Sequence, residues 1–226
     1  MKRKALAQVA LVLGPLVLAL PAYSDPISPS LTITNGDKTF SNFTCSVTGG
    51  IGLTCGGISV LPYTSVTPPD GIAGLLGITF QATFNSGNPG TEDITLRYHA
   101  AINSGADLFH DAQLTYNGNG LPFDIVVTNV DEKVYQGGTI NLLADVQVSN
   151  PPPVLTQDLM LSSDVSSIDV VKDIELISTS DITPATISLV NQTFSQTDVP
   201  EPASLTLLGS ALLGLGWLGR RRGRQV

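Results

Sequence analysis

The sequence predicts an all-β fold, an antiparallel β-sandwich or jelly-roll-like ectodomain flanked by an N-terminal signal helix and a C-terminal transmembrane helix. Three observations predict it. Apolar residues recur at every second position in several runs between Asp25 and Asp198. Turn-forming clusters separate those runs. Long uncharged apolar stretches occur only at the two ends, each beside a group of cations.

The alternation is clearest in three segments. Ile78, Phe80, Ala82 and Phe84 alternate with Thr79, Gln81 and Thr83. Ile94, Leu96, Tyr98, Ala100 and Ile102 alternate with Thr95, Arg97, His99 and Ala101. Ile140, Leu142, Ala144, Val146 and Val148 alternate with Asn141, Asp145 and Gln147. Period two is the signature of a strand with one face buried. Further strands are expected at 38–47, 58–66, 123–130, 168–177 and 184–194. Asn35-Gly36-Asp37, Pro69-Asp70-Gly71, Asn85-Ser86-Gly87 and Asn117-Gly118-Asn119-Gly120 supply positive or preset φ for the turns between strands. Many short strands at this spacing point to a sandwich or jelly roll. Pro151-Pro152-Pro153 is a domain divider or a strand cap. One domain over 25–198 is expected, because neither half alone would bury a generous core.

Residues 1–24 read as a secretory signal. Lys2, Arg3 and Lys4 precede an uncharged stretch from Ala5 to Leu20, and Pro21 ends it. Ala22 and Ser24 are the small residues expected at −3 and −1 of a cut before Asp25. At the other end, Ala203 to Gly219 is a 17-residue uncharged run rich in Leu, Gly and Ala. As a helix it spans about 25 Å, the short end of what crosses a bilayer. Arg220, Arg221, Arg222 and Arg224 follow at once and act as a stop-transfer signal, because such a cluster stays cytoplasmic.

Charge follows the same partition. Between the two ends, four cations stand against nineteen acids, leaving −15 with both histidines neutral. A surface so acidic repels nucleic acid and anionic lipid. Solubility alone accounts for it; cations or a basic partner are the alternative. Cys45 and Cys55 are the only cysteines. On an oxidising export route they are expected to form one disulfide.

Between the ectodomain and the apolar run stands Val199-Pro200-Glu201-Pro202. Two prolines hold that segment extended and remove two backbone donors. The sequence of parts, Pro-Glu-Pro, a short Leu/Gly helix and an arginine cluster over residues 199–226, resembles the PEP-CTERM sorting signal. The resemblance implies recognition of Pro200, Glu201 and Pro202 by a membrane-embedded exosortase. It also implies removal or exchange of the helix 203–219 with its basic end 220–226. It further implies an inner-membrane intermediate and then the cell surface or extracellular matrix of a Gram-negative bacterium that makes extracellular polysaccharide. A plain single-span anchor is the simpler alternative. The segment from Gly36 to Phe43 is similar to the opening strand of other PEP-CTERM ectodomains, which carry no activity to transfer.

Catalytic motifs are scarce. His99 falls on the polar face of a strand, and His110 stands beside Asp111 and three residues after Asp107. No Gly-x-Ser-x-Gly elbow and no His-Glu-x-x-His motif occurs. The adjacent pairs Glu92-Asp93 and Asp131-Glu132 read as turn or strand-end residues, and within a strand each pair would point to opposite faces. Asp107 and Asp111, or Asp164, Asp169, Asp173 and Glu175, are the candidate oxygen ligands for calcium; a solvated acidic face is the alternative. Asn42-Phe43-Thr44 and Asn191-Gln192-Thr193 are sequons, read as chance.

The leading functional reading is a non-catalytic surface or matrix protein that engages exopolysaccharide or neighbouring surface proteins, with no cofactor. The rival is a secreted hydrolase of matrix polysaccharide, which would need two carboxyl groups roughly 5–10 Å apart in a cleft.

Overall fold

The computed structural model describes residues 25–65, 75–103, 107–120 and 126–197. The signal segment 1–24 and the sorting tail lie outside the described residues. Thirteen strands form two antiparallel sheets. In chain order these are β1 (Asp25–Pro26), β2 (Ile33–Asn35), β3 (Lys38–Gly49), β4 (Ser59–Thr64), β5 (Leu76–Asn85) and β6 (Gly90–Ile102). Then come β7 (Leu108–Tyr116), β8 (Val126–Gln136), β9 (Leu142–Asn150), β10 (Thr156–Val165), β11 (Ser167–Ser178), β12 (Thr186–Phe194) and β13 (Gln196–Thr197).

One sheet runs β1-β4-β5-β12-β7-β10, with β13 also on β7; the other runs β2-β3-β6-β11-β8-β9. From β5 to β12, the order 5-12-7-10 faces 6-11-8-9, the double Greek-key winding of a jelly roll. The alternation read from the sequence faces inward as expected: Phe80, Phe84, Ile94, Leu96, Tyr98, Val146 and Val148 all lie in one core. An aromatic cluster anchors it, with Tyr98 at 5.7 Å from Phe43 and 5.8 Å from Phe80 between ring centroids. The open sides are stitched by side chains. Asn35 Nδ2 donates to the carbonyls of Tyr63 (2.6 Å) and Gly77 (2.9 Å), joining the edge of one sheet to the other. On the far side, the Gln147 N–H donates to Gln157 Oε1 at 3.0 Å. The turn at Pro151–Pro153 carries the chain from β9 to β10, which lie in different sheets.

Three expectations need correction. Ile140 is not the start of a strand: it is 95% exposed in the β8–β9 turn, and Leu142 also faces solvent. Inward alternation resumes only from Ala144, because a bulge opposite Val134 and Tyr135 shifts the register. Glu92-Asp93 and Asp131-Glu132 are not at turns or strand ends but within β6 and β8. Each pair does split across the sheet, with Glu92 and Glu132 buried and Asp93 and Asp131 on the outer side. Finally, β7 and β10 were not expected as strands.

Cys45 and Cys55 are disulfide-bonded, tying β3 to the short helical turn at Cys55–Gly57. The bond closes a small loop, so reducing it is expected to lower stability by about 2–3 kcal/mol. Paired urea titrations with and without reductant check this; coincident midpoints would show that the bond contributes nothing.

Candidate functional site

The chain ends its described part in a clasp. Gln196 Nε2 donates to Asp37 Oδ2 at 2.6 Å, while the buried Lys38 Nζ donates to Gln196 Oε1 at 2.8 Å and to Asp37 Oδ1 at 3.2 Å. The turn before β3, built on Gly36 at φ +60, thus grips the strand from which the sorting segment departs. Thr197 adds a bond to Asp164 Oδ2 at 3.1 Å, and the same carboxylate meets His110 Nδ1 at 2.8 Å. The His110 bond pulls Asp164 below the ordinary carboxylate range.

A second feature lies on the outer face of the β2-β3-β6-β11-β8-β9 sheet. Polar residues of four strands line a shallow trough there. Arg97, Tyr135, Thr139, Ile140, Asp169 and Val171 enclose about 430 Å³. A neighbouring depression of about 270 Å³ shares Arg97, Asp169 and Val171 and extends over His99, Asn42 and Thr44. The register explains the grouping. Arg97 pairs across to Thr44 on β3 and to Val171 on β11, and Asp169 stands between His99 and Tyr135.

The wall of the trough is pinned. Asp169 Oδ1 lies 2.7 Å from His99 Nδ1, and its Oδ2 accepts the Gly138 N–H at 2.7 Å. Gly138 sits at φ +71, a conformation that glycine adopts without penalty. Thr139 closes the turn on the Gln136 carbonyl through its N–H (3.0 Å) and hydroxyl (2.9 Å). Held this way, the turn presents Ile140 over the trough. Arg97 differs from the other described cations. Lys38, Lys133 and Lys172 each have a carboxylate within 4 Å, whereas among the described residues Arg97 has none. Arg97 is exposed and lines the trough together with Tyr135.

Of the candidate calcium ligands only Asp169 lines the trough. Asp111 is buried and accepts the Ser195 N–H at 2.9 Å and the Ser195 hydroxyl. Asp107 stands ahead of β7, where its charge acts on Lys38. Asp111 is thus already engaged by Ser195, and the neighbour that His110 bonds is Asp164, not Asp107 or Asp111. Among the described residues, no three His, Cys, Asp or Glu side chains are grouped to hold a metal ion. Asp173 lies on the outer face with Asp93. Partial burial, then Asp93, Glu175 and Asp131, push its carboxyl up to about 6. Asp145 is raised by burial and by Asp131. None of these acids lines the trough.

Asp173 sets a pH dependence. Its folded-state value is raised, so its contribution to stability is present below the ordinary carboxyl range near 4 and is lost as pH rises through about 6. Asp173→Asn is expected to raise the melting temperature at pH 7 and to change it little at pH 4. The gain is about 0.5–1 kcal/mol, since the group is largely solvated. Thermal melts at both pH values check it; equal shifts at the two would contradict it.

A family profile described as the PEP-CTERM protein-sorting motif matches residues 198–222. That range covers Pro200, Glu201 and Pro202, the apolar run and Arg220–Arg222, the parts read from the sequence. No curated protein matches the chain. Three solved structures show weak likeness. One concerns the promiscuous specificity of carbohydrate-binding modules from the beta-sandwich superfamily, at 10% identity and TM-score 0.35, over 69% of this chain and 57% of that one. Another is the enzymatically active domain of bacteriophage CBA120 tailspike protein 4, at 15% identity and TM-score 0.29, over 69% of this chain and 20% of that one. A third is the family 11 carbohydrate-binding module of Clostridium thermocellum with a β-1,3-1,4-mixed-linked tetrasaccharide, at 8% identity and TM-score 0.26, over 70% of this chain and 88% of that one. The chain thus spans little more than half of the first structure. Its fold class rests on its own strands.

Proposed function

We propose, from the PEP-CTERM protein-sorting motif that this chain carries at residues 198–222, that it is a non-catalytic protein of the bacterial surface or extracellular matrix. The motif marks the chain as exported to the envelope or surface and is the observation that carries the reading. In this reading an exosortase-type enzyme processes the chain at the inner membrane, and the β-sandwich then engages exopolysaccharide through the Arg97–Tyr135 trough.

The chemistry of the trough supports a sugar. A pyranose offers an apolar C–H face and a ring of hydroxyls. Tyr135 supplies a flat apolar ring, Arg97 supplies donors, and His99 and Asp169 supply donors and acceptors fixed by the bond between them. The acidity of the domain favours a neutral polymer over a uronate-rich one. Affinity electrophoresis through gels containing neutral or uronate-rich polysaccharide tests this. The chain should be retarded by the neutral polymer. The double variant Arg97→Ala/Tyr135→Ala should bind at least about tenfold more weakly, a loss of about 1.4 kcal/mol. Equal retardation of wild type and variant would place binding elsewhere. Release of reducing ends would instead support the hydrolase reading.

A further inference from the structure

Three reactive side chains meet between the sheets, on the face of β11 opposite the trough. Lys172 on β11, Glu132 on β8 and Gln192 on β12 are each fully buried. Strand parity puts them there: Lys172 lies between Val170 and Ile174 on the inward face, and Glu132 between Val130 and Val134. The register sets Lys172 directly across from Glu132. Gln192 reaches them from the facing sheet. Lys172 Nζ donates to Glu132 Oε2 and, at 3.1 Å, to Gln192 Oε1. The other Glu132 oxygen, Oε1, is buried in the same interior with no hydrogen-bond partner among the described residues. An amine that bonds both a carboxyl group and a carboxamide is thus held where water is excluded. The buried Tyr98 hydroxyl, without a hydrogen-bond partner, extends the same interior.

We propose that Lys172 and Gln192 form an intramolecular amide cross-link between the two sheets, with Glu132 moving the proton. The lone pair of Nζ attacks Cδ of Gln192, and the Nζ–Cδ bond forms. Glu132 takes a proton from Nζ and delivers one to Nε2. The Cδ–Nε2 bond then breaks, its electron pair leaves with nitrogen, and ammonia departs. An amine and a primary amide give a secondary amide and ammonia; nothing is oxidised or reduced, and Glu132 ends as it began.

The surroundings favour each role. Burial drives the Lys172 ammonium down toward the neutral amine, the nucleophilic form. Burial likewise pushes the Glu132 carboxyl up toward its protonated form. Reacting groups fixed by packing need no further ordering, which is where most of the acceleration of an intramolecular reaction comes from. The product joins β11 to β12, and hence one sheet to the other, by a bond that reductants do not break.

The test is a peptide map of the full chain, digested after reduction and alkylation of Cys45 and Cys55. The expected product is a branched peptide joining Lys172 to Gln192, lighter by one ammonia than its two linear parts. Glu132→Gln, which keeps the shape but cannot shuttle the proton, should give the linear peptides instead. Linear Lys172 and Gln192 peptides from folded wild type overturn the proposal, so the wild-type map decides it even if the variant does not fold. A branch lighter by one water and joining Lys172 to Glu132 also overturns it, since Gln192 would then not be the acceptor.

Discussion

Alanine at Pro200, Glu201 and Pro202 is expected to leave the exported chain unprocessed in the inner membrane, with its C-terminal peptide intact in essentially every molecule. The reason is a division of labour within the tail. In the proposed reading the apolar run 203–219 and the arginines would stall the chain, because each cation near the centre of a bilayer costs about 2.5–3.5 kcal/mol. In the same reading the two prolines, which lack backbone donors and disfavour a helix, would offer the processing enzyme an extended segment. Neutral residues at Arg220, Arg221, Arg222 and Arg224 should give the complementary defect, weaker membrane retention with the motif still in place. Gel mobility and mass of both variants in the native host check this. If the alanine variant and wild type run at one mass and both keep the tail, the segment is a permanent anchor.

Lys172→Met is expected to destabilise the domain by about 3–5 kcal/mol, because it strands the Glu132 carboxylate in the core. That is a large part of the 5–15 kcal/mol that holds a typical domain folded. Adding Glu132→Gln should recover most of the loss by removing the stranded charge. Neither variant has the Lys172 amine, so this comparison is independent of any amide bond between the sheets. The effect depends on pH in a defined direction. Burial raises Glu132 in the folded state, so its contribution is present below the ordinary carboxyl range and lost as pH rises through the raised value. The Lys172→Met penalty should therefore shrink in acid and be full at neutral pH. Denaturant titrations at pH 4.5 and 7.5 measure it; a penalty unchanged by Glu132→Gln would show that lost packing, not stranded charge, is responsible.

Much of this fold could be read from the sequence where one face of a strand is buried and the other wet. β5 and β6 follow the simple rule, and their inward residues are those the alternation picked. β7 did not, for a physical reason. Phe109 faces the core, but so do Ala112, Leu114 and Tyr116, on the other parity, since the register with β10 slips between Met160 and Val165. Asp111 and Gln113 are buried too, Asp111 accepting from Ser195 and Gln113 Oε1 from the Thr193 hydroxyl, so the strand shows no clean polar face. β10 failed in the opposite way: it is an edge strand with only Leu161 buried, and its sequence reads as a loop.

The site was less legible. His99 was correctly placed on a polar face, but its pairing with Asp169 depends on the β6–β11 register, which spacing cannot supply. Ile140 was read as core and stands over the trough instead, because a bulge broke the pattern next to it. The buried trio carried a signal that was available: Lys172 and Glu132 each occupy the apolar parity of an otherwise regular strand. A charge at such a position is either a strand break or a buried partner. Here the uninterrupted pattern on both sides of Lys172 pointed to the second.

Export followed by removal of the C-terminal segment is the central expectation. The most direct measurement is peptide mapping of the protein recovered from the cell surface or matrix of its native host. It should yield peptides of the β-sandwich from Asp25 onward and a C-terminal peptide that ends before Ala203, with none from Ala203–Val226. Recovery of the chain only in the membrane fraction, with the peptide carrying Trp217 and Arg220 still attached, would contradict it.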